Sequence, residues 1–144
     1  MRSGQLSKLA GAVAVVTALS ACQRNGDAGG LTAPLEDREW SLVALDGQPA
    51  GPGAGGQAAT LLLSATDHRA GGFGGCNRYS ADYSIAGDSL TLGPIAMTMM
   101  ACPSGMELEQ QFGTALSATR RFRVDGNTLQ LVGPAGVLAR LEAT

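Results

Sequence analysis

Charge is scarce in this chain. Asp, Glu, Lys and Arg make up 15% of its 144 residues, and the formal net charge is −2. There is no basic tract, so nothing in it suggests a nucleic-acid surface. Histidine is scarcer still: His68 is the only one. It lies between Asp67 and Arg69 in a polar stretch, where a solvated surface imidazole is the default. No Ser sits in a G-x-S-x-G setting, which removes the usual signature of a hydrolase nucleophile. A structural zinc site needs four ligands at workable spacing, and only His68, Cys76, Cys102 and carboxylates are available. Asp82, Asp88 and Asp125 fall at turns or on polar strand faces and read as solvating charges. No catalytic residue, no metal and no cofactor is expected. A Cys76–His68 thiol reading and paired-carboxylate catalysis are the remaining enzymatic alternatives. Long hydrophobic runs are lacking too. LAGAVAVVTAL (Leu9–Leu19) is too short to cross a bilayer as a helix, which takes ~20 residues.

What is present at the N-terminus is more specific. Arg2 and Lys8 precede that apolar run with no acid among them, and Leu19-Ser20-Ala21-Cys22 follows it. A positive region, a short apolar region and small residues make a secretory signal peptide. LSAC resembles the lipobox of bacterial lipoproteins. It implies a signal peptide over 1–21, with Cys22 as the lipidated mature N-terminus. Several acyl chains there are enough for stable anchoring. Residues 22–34, the lipidated Cys and the polar, Gly-rich QRNGDAGGLTAP, read as a tether. Gln23 after the lipidated Cys favours the outer membrane, facing the periplasm, if the source is Gram-negative.

Residues 35–144 read as the folded domain. The chain has 21 Gly, which favours turns over long helices. In EWSLVAL, Trp40, Leu42 and Ala44 alternate and Asp46-Gly47 turns the chain. Residues 47–57 read as a mobile loop without an apolar anchor. Strands follow at 59–64, 69–73, 79–85 and 89–93, and 95–102 is either a strand or a lead-in segment. Ser104-x-x-Glu107 has capping-box spacing. Leu108, Phe112, Ala115 and Leu116 then share one helical face, with an end near Ala118. Residues 121–124 and 128–133 form a hairpin around Asp125-Gly126-Asn127, and 137–142 closes the chain. The expected fold is mainly β (α+β): a small antiparallel, barrel-like sheet of seven or eight strands with one helix packed on it.

The stretch GGFGGCNRYSADY (Gly71–Tyr83) holds most of the remaining signal. A phosphate loop would need a helix N-terminus after its glycines, and a lysine; here a Tyr-alternating strand follows. Gly72, Gly74 and Gly75 are expected to supply positive φ and close backbone approach. Asn77 is expected to brace the turn. Tyr79 and Tyr83 share a strand face. With Cys22 taken by lipid, Cys76 and Cys102 are an even pair in an oxidising compartment. They form a disulfide or remain as two buried free thiols. A bond would stabilise by roughly 3–4 kcal/mol on the chain-entropy account.

GGCNRYSADYSIAGDSLTLGPIAMTMMAC resembles the core motif of the META domain, the HslJ-like family of bacterial envelope proteins. The residues that match are Gly75, Cys76, Asn77, Tyr79, Tyr83, Leu90, Thr98, Met100, Ala101 and Cys102, with Trp40 and Leu42 upstream. Ala81 stands where the family usually has Gly, and Met99 where it has Arg or Lys. The resemblance implies a small β-rich barrel-like fold with one helix and an envelope location. It also implies an association with heat shock and resistance to antibiotics such as novobiocin. It supplies no enzyme activity. The fold it implies is also similar to that of lipoproteins that pilot secretins. The function expected is a non-catalytic envelope lipoprotein that binds an unidentified envelope protein and is held to the membrane by its lipid. The alternative is a carrier of a small apolar ligand or lipid inside the barrel, on the strength of an interior containing Met97, Met99, Met100 and Met106.

Overall fold

Each β-branched or leucine-rich stretch puts alternate residues on opposite faces of an extended chain, and the buried faces meet in one core. The computed structural model describes residues 34–144; Cys22, the signal segment and residues 22–33 of the tether lie outside the described residues. In chain order the elements are β1 (Glu39–Leu45), β2 (Gln48–Pro49), β3 (Thr60–Ser64), β4 (Arg69–Phe73), β5 (Arg78–Ala86), β6 (Ser89–Leu92), β7 (Ala96–Met97), α1 (Met106–Ala118), β8 (Arg121–Asp125), β9 (Thr128–Gly133) and β10 (Gly136–Ala143). The strands pair in the order β10-β9-β8-β6-β5-β4-β3-β1, and β1 returns to β10. Every pairing is antiparallel. The result is a closed eight-stranded barrel, with short β2 added to β1 and β7 to β5. Closure removes the open edges that a flat sheet of this kind would expose.

The wall is tight everywhere but one place. Between β6 and β8 only Ser89 and Arg121 stand in register. Leu90 N–H donates to the Arg120 carbonyl at 3.0 Å, and Phe122 N–H to the Asp88 carbonyl at 2.9 Å. The chain between these two strands leaves the wall, forms β7 and α1, and returns. Phe112 of α1 meets the Tyr79 ring of β5 edge to face at 6.0 Å, while the helix also touches β1, β6, β9 and β10. It therefore lies across an end of the barrel and over the weak seam.

The interior is filled by side chains. Trp40, Leu61, Leu63, Leu90, Phe112, Leu116, Leu129, Leu131 and Leu141 are completely buried. Trp40 donates its indole N–H to the Leu35 carbonyl at 2.9 Å, so the one polar atom of this core anchor is satisfied. None of Met97, Met99, Met100 and Met106 is fully buried in that core. Met99, Met100 and Met106 are exposed, on the loop after β7 and the start of α1, and Met97 is half-buried and packs against the core from β7. An apolar-ligand site inside the barrel has no methionine lining.

Three local expectations are corrected. A β-bulge between Leu42 and Ala44 shifts the alternation of β1, so Leu45, not Ala44, takes the third inward place after Trp40 and Leu42. Residues 47–57 are tied down by main chain rather than by apolar side chains: Ala50 N–H donates to Val43 O at 2.9 Å, and Ala54 N–H to Gly75 O at 2.6 Å. The capping box does not form. The residue before the first helical turn is Gly105, at φ 87° with no side-chain cap, and α1 begins at Met106. Gly105 has its backbone wedged against Gly75 and Ala54, where a Cβ would lie 2.1 Å from the Gly75 carbonyl oxygen. The entry to the helix is set by that contact, which leaves Glu107 one place too early to bond back to Ser104.

Candidate functional site: the pinned methionine loop and the groove beside α1

Three stretches of main chain meet at the mouth of the barrel without intervening side chains. A Cβ on Gly53 would lie 2.6 Å from Gly75 O, and one on Gly75 would lie 2.6 Å from Gly105 O. Gly75 also has φ 133°. Gly72 and Gly74 do not have positive φ. Their role is close approach alone, since a Cβ on Gly72 would be 2.1 Å from Thr60 O.

This approach delivers Cys76 and Asn77 to Glu109, on the first turn of α1. One carboxylate oxygen of Glu109 accepts from Cys76 N–H at 3.0 Å and from Asn77 N–H. The other accepts from the Asn77 side-chain amide at 3.0 Å. Burial pushes the Glu109 carboxyl up, but the bonds from the Asn77 side chain, Asn77 N–H and Cys76 N–H outweigh it, and the pKa lies below the usual value. An anion at a helix N-terminus is further favoured by the helix dipole.

Asn77 faces two ways. Its Oδ1 accepts from Met100 N–H at 2.7 Å and from Thr98 Oγ1 at 3.1 Å. Its Nδ2 donates to Met100 O at 3.1 Å. The side-chain amide thus copies a strand's main chain and clamps Met100 by both backbone groups. Thr98 Oγ1 in turn accepts from Arg78 N–H at 3.2 Å. The bond between Cys76 and Cys102, 26 positions apart with Cα atoms 5.8 Å apart, closes the same loop. Cys76 Sγ lies 3.4 Å from Met100 O; a cystine sulfur has no proton, so this is a contact and not a hydrogen bond.

Held this way, the loop turns apolar side chains outward. Met99 is 95% exposed and Met100 61%. Beside it runs an open groove of about 940 Å³ between the β7 segment and α1. Ile95 and Met97 line one side; Met106, Gln110, Gly113 and Ser117 are among the helix residues on the other. Met97 packs close to Gly113.

The motif residues divide into two groups. Gly75, Cys76, Asn77, Thr98, Met100 and Cys102 come together around Glu109. Ala101 is exposed and only carries the chain to Cys102. Tyr79 and Tyr83 belong to the wall. Tyr79 OH donates to Thr60 O at 2.7 Å; Tyr83 OH is bonded to Ser64 O at 2.9 Å and to Glu36. Burial raises both phenols well above their ordinary pKa, and Glu36 adds to the effect at Tyr83. His68 stands edge-on to Tyr83 at 6.0 Å, on the turn before β4, whereas Cys76 lies beyond that strand's other end. Asp82 is paired with Arg69 at 3.0 Å on the surface. The thiol pairing of Cys76 with His68 is not assembled, because the Cys76 sulfur is in the disulfide. Glu109 is the functional residue that sequence reasoning missed. Its signal was available: it lies three before Phe112 and seven before Leu116, on the buried face, where a carboxylate must find donors.

Together the fold and this site define a small closed antiparallel barrel with a helix across one end and a disulfide-braced loop beside it. The chain belongs to the META-domain family, whose family model matches residues 33–144. It is similar to a protein from Burkholderia xenovorans solved by NMR, at 30% identity over 76% of this chain and 83% of that one, with a TM-score of 0.60. A second NMR structure shares the fold at 22% identity, covering 74% of this chain and 89% of that one, with a TM-score of 0.57. Among curated proteins none matches the sequence.

Proposed function

We propose that this META-domain protein is a non-catalytic envelope lipoprotein that contributes to tolerance of heat and antibiotic stress by binding a partner at the groove beside α1. The observation that carries the reading is the clamped loop. Asn77, Glu109 and the Cys76–Cys102 bond hold a segment whose Met99 side chain is almost wholly in solvent. Met99 and Met100 are exposed and adaptable apolar side chains, a surface type suited to binding, and Met97 and Met106 line the groove itself. The LSAC sequence and the tether support attachment to the membrane through lipid at Cys22.

The groove also supports a second reading, since its volume is in the range that holds a small apolar ligand. Such a ligand would sit outside the barrel, whose interior is filled. Native mass spectrometry of the purified protein would show a retained ligand mass or a bare chain.

The main test is genetic. A deletion strain is challenged with heat and antibiotic and complemented with wild type or with Gly113→Leu. A Cβ at Gly113 meets only the end of the flexible Met97 side chain at 3.4 Å, and leucine is the better helix former. The variant therefore folds while filling the groove. Sensitivity rescued by wild type but not by Gly113→Leu, at equal protein level, supports the reading. A deletion strain indistinguishable from wild type removes the stress role; full rescue by Gly113→Leu removes the groove.

A further inference from the structure

β6 and β7 are two parts of one strand, interrupted at Gly93-Pro94-Ile95. Both pair antiparallel with β5: β6 beside Tyr83–Ala86 and β7 beside Tyr79 and Ser80. β6 has β8 on its far side. Among the described residues β7 has no strand there; the groove and α1 lie beside it. Outside the closed barrel, the added strand β7 therefore leaves one edge without a neighbouring strand among the described residues.

The hydrogen-bond alternation of an antiparallel pair shows what the vacant edge offers. Thr98 N–H donates to Arg78 O at 3.1 Å, so Thr98 and Arg78 form a bonded position. Met97, opposite Tyr79, is the intervening non-bonded one. Its N–H and C=O point away from β5, out of the strand edge that borders the groove. Neither has a hydrogen-bond partner among the described residues. A free N–H and C=O on one strand residue are best completed together by another main chain in extended form, as in strand addition.

The lining narrows the chemistry further. Ile95 and Met97 are apolar, and the helix side carries the small residues Gly113 and Ala118, with the end of Met97 lying over Gly113. Two carboxylates, Glu107 and Glu109, and no cation line the groove. Glu109 is already occupied by three N–H donors. Glu107 is exposed and accepts only from Gln111, which leaves its charge free for an incoming cation.

We propose that an extended, apolar segment of a partner protein, with a Lys or Arg at the end nearer Glu107, docks in this groove by adding a strand to β7 at Met97. This rests on the groove being the binding surface, and it names the kind of partner that surface takes.

The experiment uses a random dodecapeptide phage library, selected on the purified full-length protein and counter-selected on Gly113→Leu. Enriched peptides are then synthesised. Strand addition predicts that N-methylation of the one peptide residue opposite Met97 weakens binding by roughly tenfold, the loss of one hydrogen bond, while its two neighbours tolerate it. Exchange of the Met97 amide slows on binding. Glu107→Gln weakens peptides that carry a terminal cation by about threefold, the scale of an exposed ion pair. Peptides that bind the groove as helices, or that tolerate every N-methylation, overturn strand addition and leave the groove reading intact. Self-association of the protein that disappears in Gly113→Leu makes a second copy the occupant and overturns the proposed partner. Failure to enrich any peptide on wild type over Gly113→Leu overturns both the strand and the groove.

Discussion

Replacing Glu109 tests whether the site is organised as described. The carboxylate is 9% exposed and receives three hydrogen bonds from two residues of the motif. Glu109→Ala strands two buried main-chain N–H groups, at about 1–3 kcal/mol each, and removes one bond from the Asn77 amide. Relief of the desolvated charge offsets part of this. The expected loss is about 3–5 kcal/mol, a large share of the ~5–15 kcal/mol available to a domain. Glu109→Gln keeps one acceptor oxygen but turns an amide toward a donor and should lose about 2–3 kcal/mol. The pH dependence has a definite sign. The folded pKa is below the unfolded one, because the hydrogen bonds favour the anion more than burial disfavours it. This stabilisation is complete above the ordinary carboxylate range and is lost as pH falls through the lower folded value. Urea unfolding of wild type and both variants, from neutral pH downward, measures it. The gap between wild type and Glu109→Gln should shrink as the medium becomes acidic. A loss below about 1 kcal/mol for Glu109→Ala at unchanged m-value, or a gap that stays constant with pH, refutes the argument.

The remaining predictions concern the same frame. Replacing both Cys76 and Cys102 with Ala should cost roughly 3–4 kcal/mol on the chain-entropy account of a 26-position loop; intact mass before and after reduction, with alkylation, checks the bond itself. Gly105→Ala combines a left-handed φ of 87° with a Cβ only 2.1 Å from Gly75 O, and should cost well over ~2 kcal/mol or prevent folding. Gly126→Ala, at φ 57° with open space around it, should cost only about 1 kcal/mol, and thermal unfolding of the two variants separates strain from collision. Both tyrosines should ionise above the ordinary phenol range in the folded protein, seen by ultraviolet titration. Since their folded pKa values are raised, the stability they contribute is present below the ordinary phenol pKa and is lost as pH rises through the folded values.

Much of the architecture was legible along the chain because its causes are local. Strand alternation, the Asp-Gly turns and the apolar face of α1 depend on residues a few positions apart, and they placed most of the elements within a residue or two. The motif from Gly75 to Cys102 identified the family for the same reason: its order survives in one continuous stretch. The errors arose where distant segments impose a conformation. Ser104 and Glu107 have capping-box spacing, but Gly105 is held by Gly75 and Ala54, from other parts of the chain. Residues 47–57 show no apolar anchor in sequence because their anchors are main-chain groups of Val43 and Gly75.

By itself the sequence determined a β-rich domain, one helix, the even pair Cys76 and Cys102, and membership in a family. Only the tertiary structure decided that β1 closes on β10, that Glu109 receives both Cys76 and Asn77, and that Met99, Met100 and Met106 face solvent rather than the core. The physical reason is common to all three. Hydrophobicity and periodicity say that a residue is apolar or on a given face, but whether that face is covered depends on which strand stands beside it. At β7 no strand among the described residues does, and the groove beside it is a property of the assembled fold that no stretch of the chain carries alone.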